Sequence, residues 1–173
     1  MKLYLSIIFC ILSTYCFAQV KKASTPKGKQ TTQEKIDYCK EIIKGSPSED
    51  GRTLYMSPEV EGVRLATSVS KDTTYLVSLK VTSDGNFDSA KGVNIYLEGK
   101  TIDLEEEEIS IEANSGEGPK YLYKSTASLS AYQFITLSIF ELKVIKLYVV
   151  DKKISKEGSF KIMRYAECLT GGN

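Results

Sequence analysis

Between Arg52 and Ala127 apolar side chains recur at every second position, and that period restricts this part of the chain to strands. Val63, Leu65, Thr67 and Val69 alternate with Arg64, Ala66 and Ser68, and Tyr75, Val77, Leu79 and Val81 alternate with Leu76, Ser78 and Lys80. Val93, Ile95 and Leu97 repeat the pattern, as do Ile109, Ile111 and Ala113, and Tyr121 and Tyr123 lead on towards Ser125 and Ala127. Successive side chains of a strand point to opposite faces, so each segment predicts one buried face. Turn chemistry separates them at Ser70-Lys71-Asp72, Ser83-Asp84-Gly85-Asn86, Gly99-Lys100 and Ser115 to Pro119. Gly99-Lys100 fits a two-residue hairpin with glycine first.

The flanks follow a different period. Thr31 and Glu34 have capping-box spacing, and Ile36, Cys39, Ile42 and Ile43 fall on one helical face before Gly45 and Ser46-Pro47. They predict a first helix. Ser130 to Leu142 is balanced: Phe134, Ile135, Thr136 and Ile139 favour a strand by propensity, whereas Ser130 caps a helix that aligns Phe134, Leu137 and Phe140 or Glu141. The short helix is the preferred reading. Val144 to Val150 reads as one buried strand. Ser155 or Ser159 opens a last helix, with Ile162, Met163, Ala166 and Leu169 on its apolar face and Gly171 beyond its end. The expected fold is mainly β (α+β). It is an antiparallel β-sandwich-like core of about seven strands, flanked by an N-terminal and a C-terminal helix.

Residues 1–18 carry the three parts of an export signal: Lys2, the apolar run Leu3 to Phe17, and small residues at Cys16 and Ala18 before a cut. The run is short for a bilayer span of about 20 residues, which disfavours the alternative of an uncleaved anchor helix. Tyr15 precedes Cys16 and Phe9 precedes Cys10, so neither cysteine suits lipid attachment. Residues 19–30 are polar and basic and read as a flexible tether. Residues 31–173 then form a single β-rich domain, secreted or periplasmic, with no membrane span after cleavage. Cys39 and Cys168 remain. In an exported chain such a pair is expected to join, linking the two terminal helices as a disulfide.

Composition removes several chemistries. The formal net charge is +1 and falls to zero once Lys2 is cleaved, which suits nucleic acid poorly as a partner. There is no histidine, so serine–histidine and cysteine–histidine catalysis, common zinc sites and the usual neutral-pH acid/base are lost. There is no tryptophan either, although eleven tyrosines could offer flat apolar surfaces to a sugar. No Gly-x-Ser-x-Gly elbow, Ser-x-x-Lys motif or phosphate-cradling loop is present.

Three constellations remain. Asp84, Asn86 and Asp88 have calcium-loop spacing, but Ser89 stands where the loop needs glycine and Ile95 where it needs a bidentate glutamate. A strand connection explains them better. Glu105, Glu106, Glu107 and Glu108 could gather a cation or a basic partner, and otherwise form a solvated turn between Leu104 and Ile109. Tyr96 and Tyr148 alternate out of phase with their buried neighbours and could form an outer aromatic patch unless the helices cover it.

Phe17-Ala18-Gln19, Tyr38-Cys39, the stretch Gly92-Val93-Asn94-Ile95-Tyr96-Leu97, Ile145-Lys146-Leu147-Tyr148 and Tyr165-Ala166-Glu167-Cys168-Leu169 together carry a resemblance. The chain resembles small uncharacterised exported β-rich proteins of Bacteroidota, a group that implies no activity. The resemblance implies a short helix before Lys146, and the acidic run and Phe134 to Phe140 depart from it. The expectation is a non-enzymatic binding or structural domain with no cofactor, whose partner is a protein, a glycan or an envelope component. The alternatives are a carboxylate-dependent hydrolase and an envelope inhibitor or chaperone-like factor.

Overall fold

A computed structural model describes residues 37–87, 90–114 and 118–171. The expected export signal and tether, the Thr31–Glu34 capping pair and Asp88 lie outside these residues. Among the described residues, ten strands form two antiparallel sheets. The strands are β1 (Ile43–Lys44), β2 (Thr53–Met56), β3 (Val63–Val69), β4 (Thr73–Ser83), β5 (Lys91–Leu97), β6 (Lys100–Glu108), β7 (Ser110–Ala113), β8 (Tyr121–Leu129), β9 (Leu142–Leu147) and β10 (Val150–Lys153). One sheet runs β1-β2-β3-β4-β8-β7 and the other β10-β9-β5-β6. Two helices complete the fold, α1 (Ala131–Ile139) and α2 (Lys156–Leu169), with a single 3-10 turn at Tyr38–Glu41.

The period-two residues build the core. Val63 and Leu65 of β3, Val77, Leu79 and Val81 of β4, and Tyr123, Ala127 and Leu129 of β8 are buried. They share one cluster with Val93, Ile95 and Leu97 of β5 and with Leu142, Ile145 and Leu147 of β9. Both sheets therefore turn an apolar face to the same interior, and each fully buried aliphatic side chain contributes about 1.5–3 kcal/mol. Phe134 and Leu137 close the cluster from α1, and Ile162, Tyr165 and Ala166 close it from α2.

The helix reading of Ser130 to Leu142 holds. Ser130 Oγ accepts from the Gln133 amide at 3.2 Å and Gln133 Oε1 accepts from the Ser130 amide at 2.9 Å, a complete capping box. Ser155 caps α2 in the same sense, accepting from the Gly158 amide at 2.9 Å. The apolar face of α2 is Ile162, Tyr165 and Ala166, and Met163 and Leu169 are only half-buried.

Four expectations fail, each for a local reason. The first helix is absent from its described half: Cys39 sits in the four-residue 3-10 turn, Ile42 is already extended, and Ile43 pairs with Met56 as β1. The C-terminal helix is thus bound to a 3-10 turn and not to a second amphipathic helix. Val144 to Val150 is not one strand, because Leu147 pairs with Val150 and the chain reverses at Tyr148-Val149. Tyr148 adopts φ 57° there, and Val149 is left 51% exposed where a continuing strand would bury it. The β5–β6 hairpin turns at Glu98-Gly99, with Leu97 opposite Lys100, so glycine comes second at φ 73°. Glu98 donates its amide to the Glu141 carbonyl at 2.9 Å and stays in the normal region. Finally, the acidic run is strand and not turn. Lys91 pairs with Glu108 and Val93 with Leu104, and a bulge absorbs the extra residues of β6.

Candidate functional site

The candidate site lies where backbone and apolar surface are left without partners among the described residues. β6 is the outermost strand of its sheet and pairs only with β5. β7 follows it and joins the other sheet, but pairs with β8 only from Tyr121 to Lys124. Ser125 to Leu129 of β8 pair with β4 on one side and carry no ladder partner on the other among the described residues. Two free strand edges therefore lie near each other. They meet at one end, where Ser125 Oγ donates to the Glu108 carbonyl at 3.0 Å. The seam runs on towards Lys100 and Ser130, where α1 begins.

Two concavities line this seam. One, of about 530 Å³, is walled by Lys100, Thr101, Asp103, Ser130, Tyr132 and Gln133 among others. The second, of about 520 Å³, is walled by Leu104 to Glu108 and by Thr126. At the α1 end Lys100 lies 4.6 Å from the Phe140 ring and 5.2 Å from the Tyr132 ring, and its ammonium donates to Tyr132 Oη at 2.9 Å. That hydrogen bond and charge hold the Tyr132 phenol below its ordinary value. Beside this corner, α1 shows a second apolar stripe to solvent: Tyr132 is 69% exposed, Ile135 43% and Ile139 59%.

The residues singled out in the sequence are scattered by the fold. Glu105 to Glu108 all lie on the free edge of β6. Tyr96 is on the outer face of β5, paired with Thr101 and Val144, and is 36% exposed. Tyr148 is in the β9–β10 turn beyond the Leu147–Val93 pair, 41% exposed and edge-on to Phe87 at 5.4 Å. The two tyrosines lie at opposite ends of β5 and form no common patch, and the helices cover neither. Asp84 and Asn86 are exposed in a loop held for structural reasons: Ser83 Oγ accepts from the Gly85 amide at 3.1 Å and the buried Tyr123 hydroxyl donates to the Gly85 carbonyl. Burial raises the Tyr123 phenol accordingly. Among the described residues no three metal-ligating side chains gather.

Lys100, Tyr132, Ile135 and Ile139 escaped sequence reasoning. Lys100 was absorbed into a turn. The helical pattern was read for its buried face, and the signal missed was a nine-residue helix with apolar residues on both sides.

The corner around α2, where Cys168 lies, is tied to the chain's first described turn. Cys39 and Cys168 are joined, with Cα atoms 5.3 Å apart. Tyr38 packs edge-on against Tyr165 at 5.7 Å and Phe160 at 6.1 Å, and the Tyr165 hydroxyl donates to Glu41 Oε2. Burial and the Glu41 carboxylate both raise the Tyr165 phenol. Glu61 accepts from the Ser155 amide at 2.9 Å and from its hydroxyl at 2.5 Å, and these bonds lower its carboxyl below the usual range. No protein-family model, curated protein or solved structure matches this chain.

Proposed function

We propose that the chain is an exported, non-enzymatic binding domain, in which the two sheets stack as a sandwich and the α1–β6 side presents the binding face. One observation carries this reading: the stripe of Tyr132, Ile135 and Ile139 stands exposed beside the Lys100 corner and above an open concavity. Apolar side chains with an adjoining aromatic–cation pair are a common composition of recognition surfaces. Export is supported by the disulfide, since such bonds persist in oxidising compartments, and by the signal-like residues 1–18. No helix among the described residues is long and apolar enough to cross a membrane. The partner classes are a protein, a glycan or another envelope component.

The test compares the native chain with Ile135→Ser and Ile139→Ser, singly and together, on a glycan array and on immobilised envelope proteins. Loss of a wild-type ligand by the double variant, with an unchanged melting temperature, supports the face. Retention of the ligand removes it. Reproducible turnover on a panel of hydrolase substrates overturns the non-enzymatic part.

A further inference from the structure

We infer that the seam between β6 and Ser125–Leu129 of β8 receives an extended, basic peptide segment as an added strand. The inference rests on the binding-face reading and names its occupant. Every second residue along the free side of β6 turns its backbone N–H and C=O away from β5, and the unpaired stretch of β8 does the same towards the seam. An inserted segment would pair with one of these edges or bridge both. Its main chain supplies the affinity, and its alternate side chains supply the choice. The two concavities run along successive halves of β6, first Lys100 to Asp103 and then Leu104 to Glu108. Together they leave a track the length of that strand, about 3.3 Å per residue.

Charge selects the occupant. Glu59, Glu112, Glu141, Glu157 and Glu167 each lie in an ion pair. None of Glu105 to Glu108 does among the described residues, and three of the four are exposed. Asp103 extends the acidic side and accepts from the neutral Asn94 amide at 2.8 Å. The facing wall, Thr126 and Ser130, is uncharged. A segment alternating lysine or arginine with small or apolar residues would set its cations on the carboxylates. Its apolar residues would lie towards α1, beside Tyr132. Acidic residues on an edge strand also deter unwanted pairing, and the test separates that role from docking.

The probe is a ten-residue peptide alternating lysine with threonine and valine. It is measured against the native chain at physiological salt by titration calorimetry and amide exchange. Two controls accompany it: the same peptide with alternate amides N-methylated, and the glutamate-for-lysine version. Expected are saturable binding of the first peptide and slowed exchange confined to β6 and Ser125–Leu129. N-methylation should weaken binding at least tenfold, and the glutamate version should not bind. Glu106→Lys with Glu107→Lys should weaken binding by a similar factor without lowering the melting temperature. Equal binding of the N-methylated peptide overturns strand addition, and so do absent binding, protection elsewhere, or self-association of the chain along β6. If the lysine peptide fails while Ile135→Ser with Ile139→Ser still abolishes a ligand, the seam is wrong and the face stands. If neither responds, both fall.

Discussion

The α2 corner and the β6–β8 seam sit on the same core and are finished in opposite ways. At the corner, distant parts of the chain are tied repeatedly. Cys39 bonds Cys168 across 129 positions, Glu61 holds Ser155, and Ser159 Oγ accepts from the Leu142 amide at 2.7 Å. At the seam, β7 leaves β8 after four pairs, and among the described residues β6 has no outer neighbour and Glu105 to Glu108 lie in no ion pair. Corner groups point inward or into one another, whereas seam groups point at solvent or at whatever enters. The contrast teaches where stability and where recognition should be sought, and each substitution below should fall on one side of it.

The largest loss is expected from the corner. Replacing Cys39 and Cys168 together by serine removes a cross-link whose chain-entropy ceiling is about 5 kcal/mol, and about 3–4 kcal/mol should disappear in denaturant unfolding. Amide exchange should show the Tyr38–Glu41 turn and the end of α2 opening first, while β6 keeps its native rates. Equal loosening at both places would erase the distinction. Gly62→Ala comes next. Glu61 and Gly62 form a tight turn between Val60 and Val63 at φ 49° and 82°, and the Gly62 carbonyl accepts from the Lys80 amide at 2.7 Å. An added Cβ would stand 2.3 Å from the Lys80 carbonyl oxygen, backbone against backbone, in a conformation that also strains alanine. About 3 kcal/mol is expected, read as a shifted denaturation midpoint with an unchanged slope.

How much of this was legible follows from the range over which each signal acts. Alternation is local and has a physical period, so β3, β4, β5 and β8 were visible from Val63, Val77, Ile95 and Ala127 alone. Capping is local too: Ser130 tipped a balanced segment towards α1, and Ser155 was one of two serines, with Ser159, that could open α2. The disulfide was readable because only two cysteines remain beyond the signal-like segment. Reversals were not readable. Tyr148-Val149 turns within an apolar run that contains no glycine, and Ile42-Ile43 looks helical until Met56 takes Ile43 as a ladder partner. Tertiary pairing overrides propensity at such places. The seam was invisible for a further reason: it depends on where β7 stops pairing, and the run Glu105 to Glu108 carries no mark of which sheet edge it will occupy.

Glu61 offers a smaller effect with a defined pH signature. Its carboxylate anchors the first turn of α2, and Glu61→Gln should cost about 1 kcal/mol near neutral pH. The folded carboxyl is held below its ordinary value by the Ser155 bonds. Its contribution is therefore fully present above the unfolded value of about 4.3 and is lost as pH falls through the folded one. Wild type and Glu61→Gln should differ by a constant amount between about pH 5 and 7 and converge below about pH 4. Gly158 sharpens the point, because a Cβ there would lie 2.6 Å from Glu61 Oε1 and push the carboxylate off Ser155. In the native background Gly158→Ala should lose the pH signature. In a Glu61→Ala background it should stabilise α2 by about 0.5–1 kcal/mol, the ordinary gain of alanine over glycine in a helix. Additive behaviour of the pair would show that the carboxylate does not govern this helix start.

Tyr132→Ala is expected to do least to stability and most to the seam. The side chain is exposed, and its bond to Lys100 links two exposed groups, so the denaturation midpoint should stay close to that of wild type. Lys100 would lose one of its two aromatic neighbours and keep Phe140. The phenol also reports directly. Lys100 lowers its titration, so in wild type Tyr132 should ionise at lower pH than an unperturbed tyrosine, and Lys100→Met should restore the ordinary value. A ligand seated at the α1 end of the seam would displace that ammonium and move the phenol in the same direction as Lys100→Met. Phenolate absorbance during peptide titration therefore distinguishes occupation of the α1 corner from loose attraction to Glu105–Glu108. A bound peptide that leaves the Tyr132 titration untouched would confine recognition to the acidic half, and α1 would have no part in it.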